Sequence, residues 1–153
     1  MKNVRIIIIA LFVILYSCSS SIDKDLGSGY LLYIGDGYST TVLNSEKTVM
    51  IPSEILDHAF DSTFILATQR PWDSIPGVAG LKSMTYKERS ETFENSPFKQ
   101  YWIINKKEKS NCSFDSISKR SRYSNVYGPF DKQEYMEKRK EVGVPRELKL
   151  KEE

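Results

Sequence analysis

The chain has 153 residues, 22 of them Lys or Arg and 20 Asp or Glu, for a formal net charge of +2. The excess belongs to Lys2 and Arg5, which precede the first acidic residue, Asp23. The remainder is balanced and carries no global field to draw in nucleic acid. One His and two Cys exclude a metal site built from clustered His and Cys.

Behind Lys2 and Arg5 runs an unbroken apolar stretch, Ile6 to Leu15. A membrane-spanning helix needs roughly 20 such residues, so this stretch fits the apolar region of a signal peptide instead. Leu15-Tyr16-Ser17-Cys18 resembles a bacterial lipobox, where a small residue precedes a cysteine that is acylated on sulfur, exposed by cleavage and acylated on its new amine. Tyr16 is bulkier than that pattern prefers, and the alternative is a plain signal peptide with Cys18 a bystander. We read residues 1–17 as a lipoprotein signal peptide and Cys18 as the lipid attachment site. Residues 18–27 are read as a flexible tether, because Ser19 to Asp25 is small and polar. Several palmitate-type chains hold a protein on a membrane, whereas a single chain, at about 0.8 kcal/mol per buried methylene, holds it only marginally. The remaining residues, 28–153, suffice for one domain with its own core.

Tyr30 to Ile34 is rich in aromatic and branched residues and predicts a strand. Gly35-Asp36-Gly37 supplies a tight turn, and Tyr38 to Leu43 alternates as a second strand, making a hairpin. The glycine spacing matches no phosphate-binding loop. Thr48 to Ile51 predicts a short strand stopped by Pro52. Ile55 to Phe60 fits either a strand or a helix; the Asp61-Ser62 turn and the strong strand Thr63 to Gln69 behind it favour a second hairpin. Residues 70–99 carry Pro71, Pro76, Gly77, Gly80 and Pro97 and read as a long irregular segment. It has room for one short helix over Thr85 to Phe93, with Tyr86 and Phe93 on the same side, and Trp72 and Phe98 predict partial docking. Loops of this length are usually functional or disordered. Tyr101 to Ile104 predicts a central strand, and a polar, basic loop follows with Lys106, Lys107, Lys109, Lys119, Arg120 and Arg122. Interrupted by Glu108 and Asp115, it reads as a solvated loop, with lipopolysaccharide or another polyanionic partner the alternative.

Asp131 and Glu134 stand at capping-box spacing, Phe130 and Tyr135 at hydrophobic-staple positions, and Gly143 and Pro145 at the stop. They predict a surface helix with a thin apolar face of Tyr135, Met136 and Val142. Glu147 to Leu150 is expected to return as a short edge strand.

Catalytic chemistry is not evident. A Ser-His-Asp arrangement must use His58, the single histidine, yet in a strand Asp57 points to the opposite face. No catalytic residue, cofactor or metal ligand is assigned, and the chain is expected not to be an enzyme. With Cys18 lipidated, Cys112 has no intramolecular partner; it reads as an incidental free thiol, a reactive thiol or half of an intermolecular bridge being the alternatives. Asp61-Ser62-Thr63, Asp73-Ser74-Ile75 and Asp115-Ser116-Ile117 resemble the acceptor signal of Bacteroidetes O-glycosylation. Turn chemistry alone also favours such Asp-Ser pairs. The loop serines Ser74 and Ser116 rank ahead of Ser62.

Gly29-Tyr30, Ile51-Pro52, Phe64 to Ala67, Tyr101 to Ile104 and Tyr127-Gly128-Pro129-Phe130 together resemble a family of small, uncharacterised Bacteroidetes-type envelope lipoproteins carrying a domain of unknown function. The resemblance implies an envelope location, and Ser19 after the cysteine is compatible with the outer membrane. It brings no catalytic residue. The expected fold is α+β, an antiparallel sheet of hairpins with the C-terminal helix packed on it. The expected function is a membrane-anchored, non-enzymatic protein that binds another envelope or extracellular macromolecule, protein or glycan. An immunity-type lipoprotein that neutralises a toxin is the alternative, and a hydrolase with unrecognised carboxylates ranks third.

Intact mass of the protein from its native host tests anchoring and glycosylation together. Peptide from Cys18 onward plus acyl chains, partitioning into detergent, is expected, with Cys18→Ala losing both. A soluble product without acyl mass refutes the anchor; a mass of peptide plus lipid alone refutes the sugars.

Overall fold

The computed structural model describes residues 23–35, 39–71, 74–116 and 120–153. Among these, β1 (Lys24–Gly27), β2 (Tyr30–Tyr33), β3 (Thr41–Leu43) and β4 (Val49–Ile51) form one antiparallel sheet in that order. A second, central sheet has the order β10-β7-β6-β5, with β5 Ile55–Phe60, β6 Phe64–Gln69, β7 Gln100–Asn105 and β10 Val126–Phe130. Two strands, β8 (Cys112–Asp115) and β9 (Arg120–Tyr123), pair with each other as a separate hairpin. The helices are α1 (Tyr86–Glu94) and α2 (Lys132–Glu141). The fold is α+β, with a helix packed on an antiparallel sheet.

The central sheet is buried on both sides, which follows from the period of two in its strands. Ile65, Ala67 and Ile104 face the first sheet, where Leu26, Tyr30, Leu32, Val42, Met50 and Ile51 meet them. Phe64, Leu66, Tyr101 and Ile103 face the other way, onto Tyr135 of α2 and Leu150. All six residues of β6 are buried. Each fully buried Leu, Ile or Phe contributes roughly 1.5–3 kcal/mol relative to exposure, so this strand feeds two cores at once.

Both expected hairpins are present: β2 pairs with β3, and β5 with β6, so Ile55 to Phe60 is a strand. Asp36, Gly37 and Tyr38 of the first turn lie outside the described residues. The expected tether of residues 18–27 is too long at its C-terminal end, because Lys24–Gly27 is β1 and Leu26 has no exposure. Asp25 Oδ1 accepts the Gly27 N–H at 2.7 Å, and Gly27, Ser28 and Gly29 all have positive φ, turning β1 back onto β2. Within β1 only Leu26 is apolar, and it points inward.

Two further expectations are corrected. The basic loop after β7 is partly a hairpin, β8–β9, and Lys106 is not a solvated side chain. Its ammonium donates to Leu26 O at 2.7 Å and to Asp61 O, and lies 5.7 Å from the Phe60 ring centre, joining β1 to the β5–β6 turn. Burial pushes its pKa down. Glu147 to Leu150 forms no strand. The carbonyls of Pro145 and Leu148 are taken by the Arg139 guanidinium, which also pairs with Glu153. Leu150 is thereby pressed onto the central sheet at 1% exposure.

The predicted cap of α2 is present. Asp131 Oδ1 accepts Glu134 N–H at 2.8 Å and Glu134 Oε2 accepts Asp131 N–H at 3.0 Å. Tyr135 is fully buried, but Met136 is 37% exposed, and Arg139 takes the inward position in its place. No helix among the described residues is long and apolar enough to cross a membrane.

Asp131→Ala is expected to lower stability by about 1 kcal/mol, the usual loss for an N-cap, without unfolding the protein. Chemical denaturation reads this out, and an unchanged midpoint would show that the cap contributes nothing.

Candidate functional site: a groove in the insert between β6 and β7

Gln69 and Gln100 are paired neighbours at the ends of adjacent antiparallel strands. A turn of a few residues would join them; the chain instead spends residues 70–99 outside the sheet. This insert has a small core of its own, Phe93 at 0%, Leu81 at 5% and Ile75 at 7% exposure, with Val78, Met84 and Phe98 packed around it. The Arg70 guanidinium lies 5.1 Å from the Phe93 ring centre and ties the insert to the end of β6.

α1 starts where it does because Thr85 and Glu88 make a reciprocal cap. Glu88 Oε2 accepts from Thr85 N–H at 2.8 Å and from its hydroxyl at 2.7 Å. These bonds hold the Glu88 carboxyl below its ordinary value. Tyr86 and Phe93, expected on the same side, part company: Tyr86 is 71% exposed and Phe93 fully buried. Seven residues share a helical direction but sit about 10 Å apart along the axis, and of the α1 residues Phe93 is the one buried in the insert core.

Between α1 and residues 75–78 runs an open groove of about 860 Å³. Ile75, Val78, Met84 and Phe98 supply its apolar surface, and Glu88 and Glu91 stand on the α1 wall. A smaller one of about 580 Å³ shares Ile75, Val78 and Phe98 and reaches Ser74. The sequence signals for the long segment and for Phe98 docking pointed here; Met84, Glu88 and Glu91 were missed. The short helix expected over Thr85 to Phe93 is α1, and the capping box Thr85-Tyr86-Lys87-Glu88 fixes its start.

A further group of carboxylates lies outside the groove. Glu54, beside Arg70 and Glu94, has its pKa raised by burial, against the pull of Arg70. Neither Glu54 nor Glu94 lines the groove. Near Glu54, Trp102 Nε1–H donates to Gln69 Oε1 at 2.9 Å and Gln69 Nε2–H donates to Ser53 O at 2.9 Å, which fixes the end of the sheet. No group of three or more His, Cys, Asp or Glu fit to hold a metal occurs among the described residues.

His58 lies on edge strand β5, stacked on Phe60 with ring centres 6.5 Å apart. Its Nε2 accepts from the Lys24 ammonium at 3.0 Å, which places the ring proton on Nδ1. Asp57 instead accepts Lys151 N–H at 2.7 Å. His58 thus links β1 to β5 and does not form a triad with Asp57. Cys112 is free and exposed. Ser62, Ser74 and Ser116 are all exposed. Asp61 Oδ1 accepts Thr63 N–H at 2.6 Å and Phe64 N–H at 2.7 Å, a turn role, and Asp115 pairs with Arg122 at 2.8 Å. Asp73 and Cys18 lie outside the described residues.

A family model described as "Protein of unknown function (DUF3997)" matches residues 28–153. The chain belongs to the DUF3997 family. No curated protein and no solved structure matches it. The DUF3997 match takes in the insert and its groove and begins after β1.

Burial, and next the Lys24 charge, push the His58 pKa below its ordinary 6.5. The unfolded chain therefore takes up this proton first, and stability falls as pH drops through about 6.5 toward the lower folded midpoint. His58 is the only histidine, so His58→Gln should flatten the slope of denaturation midpoint against pH in that window. An NMR titration midpoint above 6.5 would contradict the assignment.

Proposed function

We propose that the chain is a cell-envelope lipoprotein, held on the membrane by acyl chains on Cys18, that docks another envelope or extracellular macromolecule and catalyses no reaction. The single observation that carries the docking half is the groove of the 70–99 insert. The sheet could close without this insert, and the insert invests its own core in forming an open, mostly apolar surface. An open groove of this kind suits the side chains of a macromolecule better than an enclosed small ligand. Glu54, Arg70 and Glu94 do not line this groove, which supports binding over hydrolysis. The anchoring half draws its support from the apolar run and Leu15-Tyr16-Ser17-Cys18.

A photo-crosslinking residue placed at Val78 in the native membrane tests the docking surface. Specific adducts are expected from Val78 and not from Met136, which is exposed on α2 and lines no part of the groove. The same adducts from both positions, or from neither, overturn it.

A further inference from the structure

Every charged side chain among the described groove-lining residues is a carboxylate. Glu88 and Glu91 are three apart on α1 and therefore share one side of that helix, above the apolar surface of Ile75, Val78, Met84 and Phe98. Glu88 is held in place by the Thr85 backbone and hydroxyl, so its charge is set before any partner arrives. Glu91 has a loose partner, Lys87 at 3.9 Å, with both side chains largely exposed. Such a surface pair contributes little and gives way easily.

We infer that the groove receives a cationic amphipathic segment of a partner protein. The inference rests on the docking reading above and names the partner's chemistry. Apolar side chains of that segment seat on Ile75, Val78, Met84 and Phe98, and its Lys or Arg side chains meet Glu88 and Glu91. A neutral apolar ligand would cover the same surface and leave both carboxylates poorer in water, with nothing in return. An anionic segment would meet like charge, which costs affinity directly. Met84 suits the role because its unbranched side chain adapts to apolar partners of different shape.

The charge pattern also separates this groove from the basic hairpin that follows β7. Lys107 and Lys109 are exposed near that hairpin's base, and Phe114 is 69% exposed on β8. Glu108 stands between those two lysines and Asp115 pairs with Arg122, so that surface is mixed in sign where the lining of the groove is not.

The test uses the full chain in zwitterionic nanodiscs, titrated with a synthetic Leu–Lys amphipathic helix and with its Leu–Glu counterpart. The Met84 methyl resonance is followed, so peptide bound only to lipid does not register. The Leu–Lys peptide is expected to shift Met84 and to bind at least about tenfold more tightly than Leu–Glu. Glu91→Lys, an exposed change that leaves the cap intact and takes the lining charge from −2 to 0, should abolish that preference, and added salt should weaken it. Val78→Asp should reduce apolar seating of either peptide; its thermal unfolding, compared with the parent, shows whether the fold is intact. Equal affinity for both peptides, or a preference that Glu91→Lys does not move, overturns the inference. The Val78 adducts distinguish the two levels. A captured partner whose contact segment is neutral or acidic overturns the cationic assignment and leaves docking standing. Absence of both adduct and Met84 shift removes both.

Discussion

The central sheet is apolar on both faces, and the rest of the molecule is arranged by the need to cover it. β6 places Ile65 and Ala67 on one side and Phe64 and Leu66 on the other. One layer alone would leave a row of large side chains in water. The first sheet covers one face with Leu26, Leu32, Val42 and Ile51. α2 covers the other with a single fully buried aromatic, Tyr135, and cannot do so alone. The segment after α2 completes the cover with Val144, Leu148 and Leu150. The Arg139–Glu153 pair holds that segment down, with Tyr135 Oη–H donating to Glu153 Oε1 at 2.6 Å. A buried pair of this kind is costly to desolvate, but breaking it by removing one partner leaves a buried charge. Its value here is positional: it keeps an irregular segment over a face that needs covering.

That arrangement separates what the sheet needs from what it does not. Both cores close without residues 70–99, whose apolar side chains form a third cluster. The first and second clusters answer to folding. The third shapes a groove with carboxylates along one wall, and the sheet gains little from those carboxylates. A polar wall beside an apolar surface is the common composition of a binding site, where apolar area gives affinity and a few charged groups give selectivity. The insert is therefore where function is best sought in the DUF3997 domain.

How much of this was legible follows from where local signals were strong. The runs Tyr30 to Ile34, Thr63 to Gln69 and Tyr101 to Ile104 are long enough for pattern to decide, and they hold the strands Tyr30–Tyr33, Phe64–Gln69 and Gln100–Asn105. Asp131 with Glu134 located α2 because a capping box is a local arrangement, readable without tertiary contacts. β1 escaped because its burial rests on one residue, Leu26, inside a polar run. The β8–β9 hairpin escaped because every residue of β8 except Asp115 is exposed, so no alternation of apolar residues marks it. Leu148 and Leu150 looked like one face of a strand; their backbone partner is a side chain, Arg139, which no periodicity reveals. Phe98 was legible as a docked residue, but the groove is a property of residues from opposite ends of the insert. Only the fold brings Ile75 and Phe98 together.

The first strand also bears on how an anchored domain would be held. β1 lies ahead of the DUF3997 match and is the element nearest Cys18 in the described chain. Beyond its ladder to β2 it has two cross-links to the central sheet, Lys24 to His58 and the Leu26 carbonyl to Lys106. Both run through lysine ammonium groups at the edge of β5, beside Phe60. On the anchoring proposed here, any pull from the membrane enters the domain at β1, and these contacts pass it to the central sheet instead of leaving it on four residues of edge strand. The 70–99 insert stands outside that path. A partner in the groove would therefore meet a surface shaped by its own small core, little affected by tension at the tether.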